Sequence, residues 1–144
     1  MAKGANKEIE RQLTLLLRRA HRVLLSTEGG DIALEPAAYG TMCKLADAGP
    51  QYLAALAHAF GLDPSTITRH VRTLEEAGLV QRMKDPDDQR MVVLDLTFSG
   101  RAVLEQARRH RQSKLERMLA DWPEADRHDF GRLINQFNAS MNRL

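Results

Sequence analysis

Residues 53–97 constrain the fold more than any other stretch of this chain. Leu53, Leu56, Ala57 and Phe60 recur at helical spacing and mark a short amphipathic helix. Gly61 supplies a tight turn, Asp63 can cap a second helix, and Pro64 suits its first position, where a missing N–H costs nothing. A small residue at Ala57 lets the two helices approach closely. Gly78 can close the second helix in a left-handed conformation. The run Leu79, Val80, Gln81, Arg82, Met83, Lys84 then reads as a strand, and Met91, Val92, Val93, Leu94, Asp95, Leu96 as its β-branched partner. Between them Asp85, Pro86, Asp87, Asp88, Gln89 and Arg90 are turn chemistry, and Thr97 can cap a helix beyond. Helix, turn, helix and hairpin in that order make a winged helix-turn-helix. The predicted fold class is therefore mainly α with a small β-wing.

The second helix of the pair is the chemically telling one. At about 100° per residue, Val71 and Leu74 fall beside Ile67 and form an inward face. Ser65, Arg69 and Arg72 fall opposite, with Thr68 and Thr73 at the edges. A solvated face needs polar groups, but Lys and Glu would serve; here hydroxyls and guanidiniums fill the first two turns. Arg can fork onto guanine O6 and N7, and Ser or Thr can reach phosphates or base edges. The start of such a helix lies nearest the bases, which singles out Ser65, Thr66, Thr68 and Arg69. An ordinary solvent-facing helix remains the alternative for this element alone. Arg90, at the hairpin tip, suits a minor groove, where negative potential attracts guanidiniums, and Asp88 can hold it extended by ion pairing. The plain alternative is a surface salt bridge of little energetic worth.

Net charge does not decide between these readings. The chain carries a formal +2, and residues 63–90 hold five Lys or Arg (Arg69, Arg72, Arg82, Lys84, Arg90) against six acids (Asp63, Glu75, Glu76, Asp85, Asp87, Asp88). The argument rests on where the arginines point.

The run Leu56-Ala57-x-x-Phe-Gly-Leu-Asp-Pro-Ser-Thr-Ile-Thr-Arg, then Leu-Glu-x-x-Gly-Leu-Val-x-Arg, then Asp-Pro-Asp-Asp-x-Arg before Leu-x-Leu-Thr-x-x-Gly, resembles the MarR family of transcription regulators. The likeness is close over 34–104 and looser at both ends. It implies double-stranded DNA as partner, with major-groove and phosphate contacts from Ser65, Thr66, Thr68, Arg69, Arg72 and Thr73. Wing contacts follow from Lys84 and Arg90. Gln89 departs from the pattern, where relatives often carry Arg, as does Gln81, where they often carry Glu. The resemblance further implies a repressor released by a small molecule or an oxidant.

The two ends are helical. Residues 7–25 place Ile9, Leu13, Leu16, Leu17, Ala20, Val23 and Leu24 on one broad stripe, and Ser26 to Gly30 read as a linker. A helix over 34–46 carries Tyr39, Met42 and Leu45. A long helix over 98–121 carries Val103, Leu104, Ala107, Leu115, Met118 and Leu119. Pro123 restarts the chain into a last helix with Phe130, Leu133, Ile134, Phe137 and Met141. These stripes exceed what a small central domain can cover, so mutual burial across a two-fold axis is expected. The organisation expected is one chain, 1–144, with a DNA-binding region at 34–97 and dimerisation helices at 7–25 and 98–144. The family resemblance implies the same homodimer; an intramolecular helical cap is the alternative. Arg101, Arg108, Arg109, Arg111, Lys114 and Arg117 make the long helix basic and could extend the footprint onto flanking phosphates, although a solvated face also explains those beyond Arg109.

Other chemistry is sparse. Cys43 is the sole cysteine, which excludes an internal disulfide and fits a reducing cytoplasm; its position beside Met42 and Leu45 suggests a buried, inert thiol. His21, His58, His70, His110 and His128 show no paired helical spacing, so no metal is expected, and His70 reads as a packing or phosphate residue. Relatives often bind small aromatic or phenolic anions, and Tyr39 with Arg19 or Arg22 offers a ring and a cation. No nucleophile elbow, phosphate-binding glycine loop or zincin signature occurs, so neither catalytic residues nor a cofactor are expected. No long apolar run or signal-peptide pattern occurs either, which points to a cytoplasmic, nucleoid-associated protein. The alternative function is a winged helix that binds protein instead of DNA.

Overall fold

The computed structural model describes residues 2–23 and 36–144, with the side chains at 21–23 and 36 outside that description. The chain divides after Arg111 into two compact units. Helix α1 (Ala2–Val23) opens the first unit, ahead of the Lys7 start suggested by the apolar stripe, since one Gly4 among good helix formers costs only about 1 kcal/mol. Leu24, Leu25 and the linker fall outside the described residues, as does the expected start of the second helix at Leu34. Helix α2 (Pro36–Ala48) runs two residues past the expected Ala46. Then come α3 (Leu53–Phe60), α4 (Pro64–Glu76), β1 (Val80–Lys84), β2 (Val92–Leu96) and α5 (Phe98–Met118).

The core gathers one face from each element between α2 and α5. Met42 and Leu45 of α2, Leu56 and Ala57 of α3, and Ile67, Val71 and Leu74 of α4 are buried together with Leu79, Val80, Leu94, Leu96 and Leu104. Phe60, read as part of the α3 stripe, sits half-exposed at its edge. Between α3 and α4, Gly61 adopts φ +61°, where its N–H and that of Leu62 close onto the carbonyls of His58 and Ala57.

The strands pair antiparallel, Val80 with Leu96 through to Lys84 with Val92. Each strand starts one residue later than its sequence pattern suggests. Leu79 is instead used to close helix α4, its N–H donating to the Leu74 carbonyl, while its own carbonyl accepts from Thr97. Beyond β2, Gln51 forms a bridge to Leu94, with N–H···O bonds of 3.0 and 2.8 Å in the two directions. That third piece of sheet is carried by a single residue, too short for any periodicity to reveal.

The junction into α5 is tight. The Thr97 hydroxyl donates to the Gly78 carbonyl at 2.6 Å and accepts from the Gly100 N–H at 2.9 Å, so the expected cap also ties the helix to the start of the wing. A Cβ on Gly100 would stand 2.0 Å from the Leu79 carbonyl oxygen.

The second unit comprises the end of α5 and α6 (Glu124–Met141). Helix α5 stops at Met118, short of the expected Asp121, because residues 119–122 form the turn. Arg127 fastens that turn, pairing with Glu116 at 3.1 Å and donating to the Leu119 carbonyl at 2.6 Å. Trp122 packs edge-on against Phe130, with ring centroids 5.4 Å apart.

Gly100→Ala is expected to destabilise the fold by about 2–3 kcal/mol, because backbone rather than a movable side chain blocks the methyl group. Gly40→Ala, which meets nothing within 4 Å, should instead gain up to about 1 kcal/mol of helix propensity. Urea unfolding of the two variants beside the parent checks both signs.

Candidate nucleic-acid interface

Helix α4 has a fixed rotation because Ile67, Val71 and Leu74 are locked into the core. Ser65, Arg69, Arg72 and Thr73 are accordingly exposed, while Thr66 and Thr68 are half-buried. Among the described residues neither Arg69 nor Arg72 makes an ion pair, and neither does Lys84 at the end of β1.

Asp63 organises the start of α4. It accepts from the Thr66 N–H at 2.7 Å and from the Ser65 hydroxyl at 3.0 Å. Hydrogen bonds from Thr66, side chain and backbone, and from Ser65 hold its carboxyl below the usual range. The other hydroxyls are also engaged: Thr68 donates to the Pro64 carbonyl at 2.7 Å and Thr73 to that of Arg69 at 3.2 Å. Ser65, Thr68 and Thr73 therefore present lone pairs outward. Such groups accept from adenine or cytosine amines as they stand, and must rotate to donate to a phosphate.

The wing is fastened at both ends. Arg82 of β1 donates to Glu75 of α4 at 2.9 Å, so this arginine is spent on tying the hairpin to the helix. At the tip Arg90 pairs with Asp88 at 3.1 Å, as the sequence suggested, and its side chain is 90 % exposed. Asp88 also takes the Arg90 N–H, and hydrogen bonds from Arg90 hold the Asp88 carboxyl below its ordinary value. Sequence reasoning missed one group: Asp85 is only 6 % exposed, and it accepts from the Tyr52 hydroxyl and from the Asp87 N–H. The Asp-Pro-x-Asp turn pattern marked Asp85, but Tyr52 lies 33 residues earlier and nothing local points to it.

A second polar cluster joins α2 to α5. Arg111 lies over the Tyr39 ring, 3.4 Å from its centroid; Arg19 stands exposed on α1, and the Arg22 side chain lies outside the described residues. Arg108 pairs with Asp47 at 3.0 Å. Cys43 is half-buried at the core's edge rather than inside it. Burial first, and then Cys43, raise the Tyr39 hydroxyl above its ordinary pKa. Arg101 is likewise used, pairing with Asp95 at 3.2 Å, so much of the basic face expected on α5 is internally compensated.

A recognition-type helix with two unpaired arginines, followed by a wing that ends in an exposed arginine, is the architecture of a winged helix-turn-helix regulator. The profile described as MarR family matches residues 34–92. The helix-turn-helix transcriptional regulator YxaD of Bacillus subtilis is 33 % identical over 92 % of this chain and 92 % of its own length. The repressor NicR of Pseudomonas putida is 36 % identical over 68 % of this chain and 64 % of its own. In structure the chain resembles the regulator BldR of Sulfolobus solfataricus, with a TM-score of 0.78 at 22 % identity, covering 100 % of this chain and 99 % of the other. The protein belongs to the MarR family of helix-turn-helix transcriptional regulators, which are DNA-binding proteins and not enzymes. No helix among the described residues is long and apolar enough to cross a membrane.

Removing the Asp63 cap by Asp63→Ala should lower the thermal midpoint at neutral pH. Because the folded carboxyl titrates below its unfolded value, the cap's contribution is present above the usual carboxylate range and is lost as pH falls through the depressed value. The gap between variant and parent should therefore narrow on acidification, as thermal melts across pH 2–7 would read.

Proposed function

We propose that this chain is a homodimeric repressor that binds a pseudo-palindromic operator and lets go in response to a small-molecule or oxidant signal. The observation that carries the DNA reading is the pairing pattern on one surface. Arg69 and Arg72 make no ion pair on the outer face of α4, while Asp63, Glu75 and Asp85 are used for capping, an internal pair and the turn. Ser65, Thr66, Thr68 and Arg69 meet base edges in the major groove; Arg72, Thr73 and Lys84 meet phosphates; Arg90 enters the minor groove. The wing contact is modest in this protein, since Gln89 adds no second cation beside Arg90.

The homodimer is supported by apolar surface left open on the terminal helices. Ile9, Leu16 and Leu17 of α1, Met118 of α5, and Phe130, Leu133, Ile134, Phe137 and Met141 of α6 are all exposed in the single chain. Residues 7–25 and 98–144 then form the dimerisation region and 34–97 the DNA-binding region. Two recognition helices related by a two-fold axis read half-sites about one helical turn apart. Repression is the sign favoured by the resemblance to NicR. Such a protein acts in the cytoplasm, on the nucleoid.

Fluorescence anisotropy on DNA from upstream of the coding region, across a salt series, tests this reading. The parent should bind as two chains per site with a Kd of about 10⁻⁸ M or tighter, falling steeply with salt. Arg69→Ala should cost about 1–3 kcal/mol and relax sequence preference, and Arg90→Ala should weaken binding chiefly where the wing meets A·T-rich DNA. Weak binding that ignores sequence would point instead to a winged helix turned to protein partners. In the same assay, small phenolic or aromatic carboxylates are expected to lower affinity, through a site that includes Tyr39. Tyr39→Ala should abolish that response, and an unchanged response would remove Tyr39 from the effector site.

A further inference from the structure

Asp85 is the most deeply buried carboxylate of the wing, and no Lys, Arg or His among the described residues pairs with it. Each of its oxygens instead has one donor, the Tyr52 hydroxyl on Oδ2 and the Asp87 N–H on Oδ1. A buried carboxylate with so few donors depends on both. Tyr52 belongs to the body of the helix-turn-helix: it is the N-cap residue of α3, and its carbonyl accepts from Leu56. Its neighbour Gln51 is bonded to Leu94 of β2, so the α2–α3 connection grips the hairpin twice, by backbone at mid-strand and by the Tyr52 ring near the tip. From Asp85 the chain of bonds continues outward. The Asp85 N–H donates to Met91, the Met91 N–H donates to Asp88, and Asp88 holds Arg90. Beyond Asp88 no partner among the described residues restrains the Arg90 side chain, so the wing tip's position is inherited from Asp85.

We infer that Tyr52 and Asp85 are positioning residues for DNA binding: their bond holds the wing tip, and with it Arg90, at a fixed reach from the recognition helix. This rests on the reading of the chain as a DNA-binding regulator. Holding the tip in place before DNA arrives removes an ordering cost that a free hairpin would meet on binding. Neither residue touches DNA itself in this arrangement; each acts through Arg90.

Tyr52→Phe keeps the half-exposed ring and removes only the hydroxyl, so the fold is retained. Two readouts follow. In the DNA-free protein, amide exchange at Asp85, Asp87 and Met91 should accelerate while Leu94 and Leu96 stay as in the parent. On an operator with A·T-rich flanks, Tyr52→Phe should lose roughly fivefold in affinity, the size expected for one hydrogen bond, and should lose nothing further in an Arg90→Ala background. Unchanged exchange at the tip would overturn the tether. Faster exchange with losses that add independently to those of Arg90→Ala would overturn the positioning role while leaving the DNA-binding reading intact. Weak, sequence-blind binding by the parent itself would overturn both.

Discussion

Burial of Ile67, Val71 and Leu74 is the constraint on which the rest of this surface depends. A thirteen-residue helix has little stability of its own in water, and its apolar face decides how it is rotated against the domain. Once those three side chains are in the core, Arg69 and Arg72 have no choice but the opposite side. The same core takes Leu79, Leu94 and Leu96, so the hairpin is anchored to the helix it follows through shared apolar contacts. The close approach of Gly100 to Leu79 and the double role of the Thr97 hydroxyl then set where α5 leaves the domain.

Electrostatics on this surface is a matter of assignment more than of totals. Between residues 63 and 90 acids outnumber bases, which would ordinarily discourage a polyanion. The folded chain removes most of those acids from consideration. Asp63 is turned into its own helix start, Glu75 is matched by Arg82, Asp88 by Arg90, and Asp85 is buried under Tyr52. What remains outward is a short row of cations with hydroxyl acceptors between them, and the exposed carboxylates of Glu76 and Asp87. Along α5 the same accounting works in reverse: Arg101 and Arg108 face carboxylates, and Arg111 lies on an aromatic ring.

The terminal helices follow a different logic. Their apolar residues recur as regularly as those of α4, yet in the single chain many of them, Leu16 and Leu17 of α1 and Phe130, Leu133 and Phe137 of α6 among them, stay exposed. Periodicity states that a face must be covered and is silent on what covers it. The Tyr39 cluster shows a similar limit. The ring was legible as a candidate site residue, but the Arg111 guanidinium that lies on it comes from a helix 72 positions away, and only packing of α2 against α5 could bring it there.

By itself the sequence determined the order of elements, the turn at Gly61, the caps at Asp63 and Thr97, the inward face of α4 and the Asp88–Arg90 pair. Each of these depends on residues within about one or two turns of each other, where local geometry and side-chain chemistry suffice. Tertiary structure alone decided the Gln51–Leu94 bridge, the Tyr52–Asp85 bond, the Arg82–Glu75 tie and the Arg111–Tyr39 stack. Those contacts join residues that the chain separates and packing reunites. Their energies depend on burial and distance, which no local pattern encodes.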